Sequence, residues 1–570
     1  MKKLIVASLL LGSGAAFSQS NFAQLDINNI KAGVNSQGAL FWDFMNPKFE
    51  VPKGSGRSTI FASNLWFGGI DASNTLKIAG STYRQTGNDF WPGPLDATAS
   101  ITPSTIAAYD RVWKLNKCDI DSYMSWFYGG ELGPNPVDSV AMNTILTWPA
   151  SSPSGASLAP YNDTNGNGVY DPYAGDYPVI KGDQAIFFVY NDKGGVHTET
   201  GGNAIGLEIQ CMVYEYGCNT DSVLANTVFV NYKITNKSSF RLDSAFMGSW
   251  TDFDIGSATD DFVGCDVGRS TYYAFNGDSI DDSPPAGEIP YGLNPPAQGV
   301  VLLTGPYADP NGLDDVSSSV ANGTNYGDSI IDNERLGMGH FLYFENDASP
   351  MGNPSVPADY YDYMAGAWRD GTPWTYGGYG HLTGTVCKYL FPGSSDPGSF
   401  GTFGVPQSPW DEVSDMHVPS DRRGVASYGP FTWQPGAVNE IDLAYVYAKA
   451  SSGGNLASVS LLKERIDSLH QKFSSGITAC GCSSTTGIAT HQSTAEFSIY
   501  PNPANDHIIV KHSGNNATAA IYDATGKLLK YVELQAGGQQ VDISELPDGL
   551  YFITLSDGKK LSSARFIKTH

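Results

Sequence analysis

The chain has 570 residues and carries 33 Lys and Arg against 58 Asp and Glu, a net charge of −25. So acidic a protein lacks the cationic surface that nucleic-acid phosphates require, which excludes that class of partner. Its 64 Gly, 33 Pro and 31 Tyr beside only 16% charged residues describe a turn-rich, aromatic-rich β protein rather than a helical cytoplasmic enzyme, and its length allows roughly three or four domains.

The first residues read as a signal peptide, 1–18. Lys2-Lys3 is a positive n-region, Leu4 to Ala16 an apolar core too short to span a bilayer, and Ala16-Phe17-Ser18 supplies the small residues of a cleavage site before Gln19. No other run approaches the ~20 apolar residues of a membrane helix, so the mature chain is expected to have no transmembrane segment.

Residues 19–148 read as an N-terminal β-rich region. Phe41-Trp42-Asp43-Phe44, Ile60-Phe61-Ala62, Leu65 to Ile70 and Leu76 to Ala79 are short strand candidates separated by Gly, Asn and Pro. Trp42, Trp66 and Trp91 fit either a sugar-stacking surface or core. The large area each ring buries favours core.

Residues 149–473 read as a central β-sandwich region with acidic loops and a terminal helix. Its first chemical constellation is Asn162-Asp163-Thr164-Asn165-Gly166-Asn167-Gly168-Val169-Tyr170-Asp171-Pro172. Asp163, Asn165, Asn167 and Asp171 occupy loop positions one, three, five and nine, with Gly168 at six for the sharp turn. That spacing wraps oxygen donors around a Ca²⁺ ion. Position twelve is Ala174, not Glu, and Pro172 forbids a helix through that point. The loop therefore resembles the calcium loops of dockerins and thrombospondin type 3 repeats more than an EF-hand, with Asp176 as a late carboxylate. The alternative is an Asn/Gly-rich turn without metal.

A short apolar run at 185–190 is followed by alternating runs at 207–214, 228–235 and 246–250, the pattern of antiparallel strands in a sandwich. Where the last ends, Asp252, Asp254, Asp260, Asp261 and Asp266 fall within fifteen residues beside Gly256 and Gly264. Such crowding repels and raises pKa values unless a cation resolves it. We expect Ca²⁺ here; the competing readings are a solvated acidic loop and a carboxylate pair for glycoside hydrolysis.

From Ser279 to Gly429 the chain is rich in Gly, Pro and aromatic residues. Tyr360 to Tyr363 and Trp368 to Gly380 are either a ligand surface or a packed loop. Asp421 beside Arg422 and Arg423 reads as a structural ion pair. One amphipathic helix is expected near 456–473, where Val459, Leu462, Ile466, Leu469 and Phe473 form one apolar stripe. Residues 474–496 read as a Ser/Thr/Gly linker. Seven cysteines in an exported chain permit disulfides. Cys211 and Cys218 are close enough for a hairpin bridge, Cys480 and Cys482 are too close to pair easily, and the odd count leaves at least one thiol free without fixing the pairing.

Residues 497–570 read as a small β-sandwich, in which seven basic residues balance seven acidic ones. Ile508 and Val510, then Ala520 and Tyr522, alternate with polar residues, and Leu550 to Leu555 is apolar on both faces, as in a central strand. The segment contains Tyr500-Pro501-Asn502-Pro503-Ala504, then Ile521 to Lys527 with Gly526, then Leu546-Pro547-Asp548-Gly549-Leu550-Tyr551, and a basic end at Lys568. These pieces, in this order, resemble the type A C-terminal sorting domain of the Bacteroidetes type IX secretion system. Pro501, Asn502, Pro503, Gly526, Gly549, Tyr551 and Lys568 are the sorting-signal residues this resemblance implies. It implies export across the outer membrane, contact with the secretion machinery, and attachment to surface lipopolysaccharide. The rest of the chain resembles the uncharacterised secreted proteins of that group.

The sequence has no His-Glu-x-x-His, Gly-x-Ser-x-Gly or phosphate-loop motif. The expected protein is therefore a mostly β, multi-domain, antiparallel sandwich, secreted or attached to the cell surface. It would be calcium-stabilised, and adhesive or ligand-binding toward a glycan or matrix component. The alternative is a secreted carboxylate-dependent glycoside hydrolase.

Overall fold

A computed structural model of the chain describes residues 21–83, 87–130, 135–282, 285, 287–316, 322–481, 497–512, 517–523, 527–556 and 561–569. The expected signal peptide, most of the expected linker and Gly526 lie outside the described residues. The chain forms two compact units, divided between residues 482 and 483.

The first unit is built on two antiparallel sheets. The larger has nine strands. Its path runs through Asp261–Asp266, Thr271–Asn276, Ala297–Thr304, Val438–Ala448, Thr227–Asn236, Leu207–Glu215 and Gln184–Asn191, and ends with Trp91–Pro92 and Trp113–Asn116 both paired to Gln184–Asn191. The smaller has five strands in the order His340–Glu345, Arg422–Trp433, Leu242–Phe253, Ile60–Asp71 and Leu76–Ala79. The division expected at residue 148 does not coincide with a break between compact units. The Ile60–Asp71 strand lies inside the smaller sheet, hydrogen-bonded to Leu242–Phe253.

One apolar core lies between the sheets, with Leu65, Phe67, Met247 and Phe253 from one and Cys211, Val213, Val228 and Tyr232 from the other. Hydroxyls cross it: Ser63 Oγ lies 2.8 Å from Tyr445 Oη, and Thr251 Oγ1 2.8 Å from Tyr272 Oη. A second core lies on the opposite face of the larger sheet, where Phe187, Tyr214, Phe229 and Val446 meet Ile120, Ile145, Leu462 and Ile466 of three helices. The polar–apolar alternation at 207–214 therefore does not mark a wet face. Every residue of Leu207–Glu215 is buried, because helices and loops cover the side that an open sandwich would leave to water.

Among the described residues there are five α-helices where one was expected. The expected one spans Gly454–Ser475 and buries Val459, Leu462, Ile466 and Leu469. Leu462 and Ile466 pack where Gly299 leaves the sheet surface bare; a Cβ there would stand 3.2 Å from Leu462. The others, Pro103–Tyr109, Lys117–Tyr128, Ser139–Leu146 and Pro357–Ala365, are 7 to 12 residues long. Too short to show a period, two of them still carry start signals. Thr102 caps the first, with Pro103 in its first turn, and Asp138 accepts from Val140 N and Ala141 N. Pro357–Ala365 lies on the outer face of the smaller sheet, where a Cβ on Gly248 would meet Met364 Sδ at 3.0 Å. The candidate strand 41–44 is irregular, with Phe41 and Phe44 at positive φ. Trp42 and Trp66 are core, as are Tyr360, Tyr363, Trp368 and Trp374 of the aromatic insertions.

Cys218 is bonded to Cys480, and Cys118 is also a disulfide cysteine. Cys211 is free and buried, which corrects the expected Cys211–Cys218 hairpin bridge. Cys211 points into the core between the sheets, whereas Cys218 belongs to the core on the other face. The amides of Cys480 and Gly481 donate to Asp183, so the start of the expected linker remains fastened to the first unit.

The second unit pairs a three-stranded sheet, Phe497–Tyr500, His507–His512 and Gln539–Asp542, with a four-stranded one ordered Leu528–Leu534, Ala517–Tyr522, Gly549–Ser556 and Leu561–Lys568. Its core holds Ile508, Val510, Ile521, Val541, Ile553 and Phe566. Gly549–Ser556 is interior to its sheet, but one of its faces is open: Tyr551 and Ile553 are buried while Leu550 and Phe552 are exposed.

Candidate functional site

The antiparallel order of the smaller sheet brings the end of Leu242–Phe253, the start of Arg422–Trp433 and the end of His340–Glu345 to one end of the sheet. Asp252 stands opposite Arg423 in register. Arg423 Nε lies 2.9 Å from Asp252 Oδ1, and its Nη1 lies 2.8 Å from Asp421 Oδ1. The guanidinium also lies 4.7 Å from the centre of the Tyr83 ring, which in turn stacks on Trp250. Tyr83 Oη is held 2.6 Å from Asn346 Oδ1 and 2.9 Å from Asn353 Oδ1.

Asp254, two residues past Asp252, completes a group of three. One carboxylate oxygen from each of Asp252, Asp254 and Asp421 lies within 4.8 Å of the others. Asp252 is buried, while Asp254 and Asp421 are partly exposed. Burial pushes Asp252 up to about 7 despite the Arg423 charge, with Asp421 adding to the rise. Asp254 is raised well above the carboxylate range by burial and then by the Asp252 and Asp421 charges. The Arg423 guanidinium contacts two of the three carboxylates and acts on Asp254 only through space.

The five acids of the 252–266 stretch do not converge. Only Asp252 and Asp254 enter the group, and the third member, Asp421, comes from 167 residues further along the chain. Asp261 is fully buried, its Oδ2 accepting Ile255 N at 2.9 Å, and burial raises its pKa well above the usual range. Asp260 is half-buried beside it, with a pKa raised by burial. Asp266 ends the Asp261–Asp266 strand, roughly 17 Å away at strand rise, and is neutralised by Arg269 at 2.9 Å and Lys463 at 3.4 Å. The sequence signal for Asp421 was present in the Asp421-Arg422-Arg423 run, which reads as an ion pair until the sheet register sets Arg423 against Asp252.

The 163–171 loop is an exposed turn. Asp163 accepts from the amides of Gly166, Asn167 and Gly168, Asn165 from Asn167, and Asn167 from Val169. The Asp163 and Asn165 side chains thus meet at one amide. Asp171 instead caps the next turn through Tyr173 N. Buried Asp176 clasps both ends, accepting from Thr164 N and Asp171 N. Asp163 and Asn165 share the Asn167 amide, Asn167 turns its own oxygen to Val169 N, and Asp171 accepts within the next turn.

In the second unit, sorting-signal residues far apart in sequence meet. Asn502, between Pro501 and Pro503, accepts Ile567 N at 2.9 Å and donates to Arg565 O at 3.2 Å. Ala504 is tied to Ile567 and Thr569 through its backbone. Gly549 pairs with Lys568 in register, Lys568 is buried at 3% exposure, and Tyr551 stacks on Phe566 while donating to Pro547 O at 2.6 Å. The opening, late and terminal pieces of the motif are thereby one structural assembly. Among the described residues no helix is long and apolar enough to cross a membrane.

Residues 498–569 match the family described as the secretion system C-terminal sorting domain. No curated protein matches the chain. Among solved structures, a polysaccharide lyase is 9% identical at a TM-score of 0.18, the match covering 63% of this chain and 34% of the lyase. Dimeric latent PorU from Porphyromonas gingivalis is 8% identical at 0.12, covering 68% of this chain and 31% of PorU. PorZ, described as an essential surface component of the type IX secretion system of the same organism, is 8% identical at 0.12, covering 96% and 75%. The chain spans about a third of the length of the first two. Scores this low define no shared fold, whereas the sorting-domain match covers the second unit nearly end to end. The chain is a type IX secretion cargo with a C-terminal sorting domain, exported to the cell surface or secreted.

Proposed function

We propose that the exported chain is a calcium-stabilised, ligand-binding β protein of the cell surface, adhesive rather than enzymatic. The observation that carries this reading is the group of Asp252, Asp254 and Asp421, with oxygens within 4.8 Å and one guanidinium bridging Asp252 and Asp421. With all three ionised, one positive charge would stand against three negative ones, and a dication would supply the balance in place of the protons that burial otherwise favours. The donors are hard carboxylate oxygens, which suit Ca²⁺ rather than a softer metal. Arg423 engages Asp252 Oδ1 and Asp421 Oδ1 and also reaches Asp252 Oδ2 at 3.5 Å, so Asp254 would supply the freest carboxylate, with the other two acids completing the protein's share. The 163–171 loop is the second site in this reading, with Asp163, Asn165, Asn167 and Asp171 as its oxygen donors. Surface lipopolysaccharide is the attachment partner.

The competing reading, a carboxylate-dependent glycoside hydrolase, would need one of these acids to meet substrate. One set of variants separates the two. Asp254→Asn should weaken Ca²⁺ binding measured by calorimetry. If Asp254 instead acts on substrate, the same variant should keep Ca²⁺ affinity and abolish release of reducing sugar. Wild-type hydrolysis that is lost in Asp254→Asn, with Ca²⁺ binding unchanged, would overturn the proposal.

A further inference from the structure

Beside the three-carboxylate group, at the same end of the smaller sheet, lies a cavity of about 380 Å³ lined by Tyr343, Glu345, Asp347, Met351, Tyr379 and Ser420, among others. A volume of this size suits one small ligand or a residue or two of a larger one. Two hydroxyls of its wall are unpaired among the described residues: Tyr343 is fully buried, and neither its Oη nor the buried Oγ of Ser420 has a hydrogen-bond partner there. A buried hydroxyl left without a partner is destabilising, so such groups call for an occupant that can donate and accept.

The rest of the wall narrows what that occupant is. Tyr379 is 45% exposed. One face of its ring is covered by the His417 imidazole, with centroids 4.1 Å apart and planes 6° apart. What Tyr379 offers the cavity is the other face or its edge, an apolar surface with a negative π cloud. Glu345 and Asp347 exclude an anion. Glu345 is itself engaged by Arg422, which also holds buried Glu412 at 2.8 Å, so the mouth is not a free cation trap either. An aromatic face, carboxylate acceptors and unpaired hydroxyls together fit a neutral ligand with one apolar C–H face and a rim of hydroxyl groups.

We infer that this cavity is a binding subsite for a neutral pyranose unit of a glycan, stacked on Tyr379 and hydrogen-bonded to Tyr343 Oη, Ser420 Oγ, Glu345 and Asp347. The inference rests on the reading of the chain as a surface ligand-binding protein and names its ligand class.

The test uses the mature full-length protein and a panel of neutral oligosaccharides of glucose, mannose, galactose and xylose, read by calorimetry and by melting temperature. At least one should bind saturably. Tyr379→Ala should weaken it about tenfold through loss of the stacking surface. Tyr343→Phe should weaken it about fivefold, the worth of one hydrogen bond, while leaving the ligand-free melting temperature equal or higher because an unpaired hydroxyl is removed. The latter separates a binding role from a failure to fold. Binding of equal strength in both variants would overturn the subsite and leave the wider ligand-binding reading intact. No binding by any neutral oligosaccharide would overturn the inference, and the Ca²⁺ response of the same sample would show whether the calcium half of that reading falls with it.

Discussion

Asp252 and Arg423 face each other across neighbouring antiparallel strands, Oδ1 to Nε 2.9 Å, with their side chains only 3% and 4% exposed. Arg423 is the counter-charge that lets Asp252 and Asp421 be held together at the end of the sheet. Removing it leaves those acids without a cation. Arg423→Met should therefore destabilise the calcium-free protein by about 3–5 kcal/mol in urea unfolding at pH 8. Added Ca²⁺ should recover part of that loss, and a variant as stable as wild type would refute the role given to this pair.

The same cluster sets a pH dependence. The folded value of Asp252 is about 7, above the ordinary 3.8, and Asp254 is raised too. A folded state that holds protons more tightly than the unfolded chain is favoured at low pH. Its contribution is complete below about pH 4 and is lost as pH rises through 7. Glu215 and Asp281, raised by burial to about 8 and about 6, act in the same direction. The calcium-free protein should melt lower at pH 8 than at pH 5.5, and Asp254→Asn should narrow the gap. A gap unchanged in that variant would show that the cluster does not set it.

Calcium should raise the melting temperature and chelator lower it. The stabilisation is about 2.7 kcal/mol at a hundredfold excess over Kd for one site. Asp163→Ala and Asp254→Asn should each remove a separate part, adding in the double variant because the two groups share no hydrogen-bond or ion-pair partner among the described residues. A melting curve indifferent to both calcium and chelator would dismiss both sites.

Truncation at residue 496 should leave the first unit folded, since the two units are separately compact, and trap it in the periplasm. Asn502→Ala, which breaks the ties to Arg565 and Ile567, should reduce export in cell fractionation. Equal surface or medium levels of the truncated and full-length chains would contradict the sorting role.

The Cys218–Cys480 bridge closes a loop with a sequence separation of 262. By chain entropy, so long a loop stabilises by about 5 kcal/mol. Cys218→Ser should lower the unfolding midpoint accordingly, and should also free the segment around Cys480 to proteolysis. Wild-type resistance in that variant would show that the Asp183 contacts suffice.

The address was legible in residues 497–570, because a sorting signal is a local pattern in a unit that folds around itself. The long strands and the Gly454–Ser475 helix were legible for the same reason: their periods repeat often enough within one element to be counted. The four shorter helices were not, since 7 to 12 residues hold too few turns for a stripe, although the Thr102 and Asp138 caps were in plain view. Hydropathy alternation at Leu207–Glu215 indicated a strand but not the layer that covers its polar-looking side, because burial of a second face depends on elements far away in the chain. Cys211 and Cys218 were close in sequence yet belong to opposite faces of one sheet. The crowding of acids at 252–266 marked the right stretch, but register decided its membership. Antiparallel pairing of Leu242–Phe253 with Arg422–Trp433 brought Asp421 and Arg423 to Asp252, and straight extension of the Asp261–Asp266 strand carried Asp266 away to Arg269. What the sequence determined alone was what neighbours along the chain can specify: strand and helix periods, turn chemistry and the export signal. What only the tertiary structure decided was which distant charges share a site, because that depends on the order and register of strands separated by more than a hundred residues.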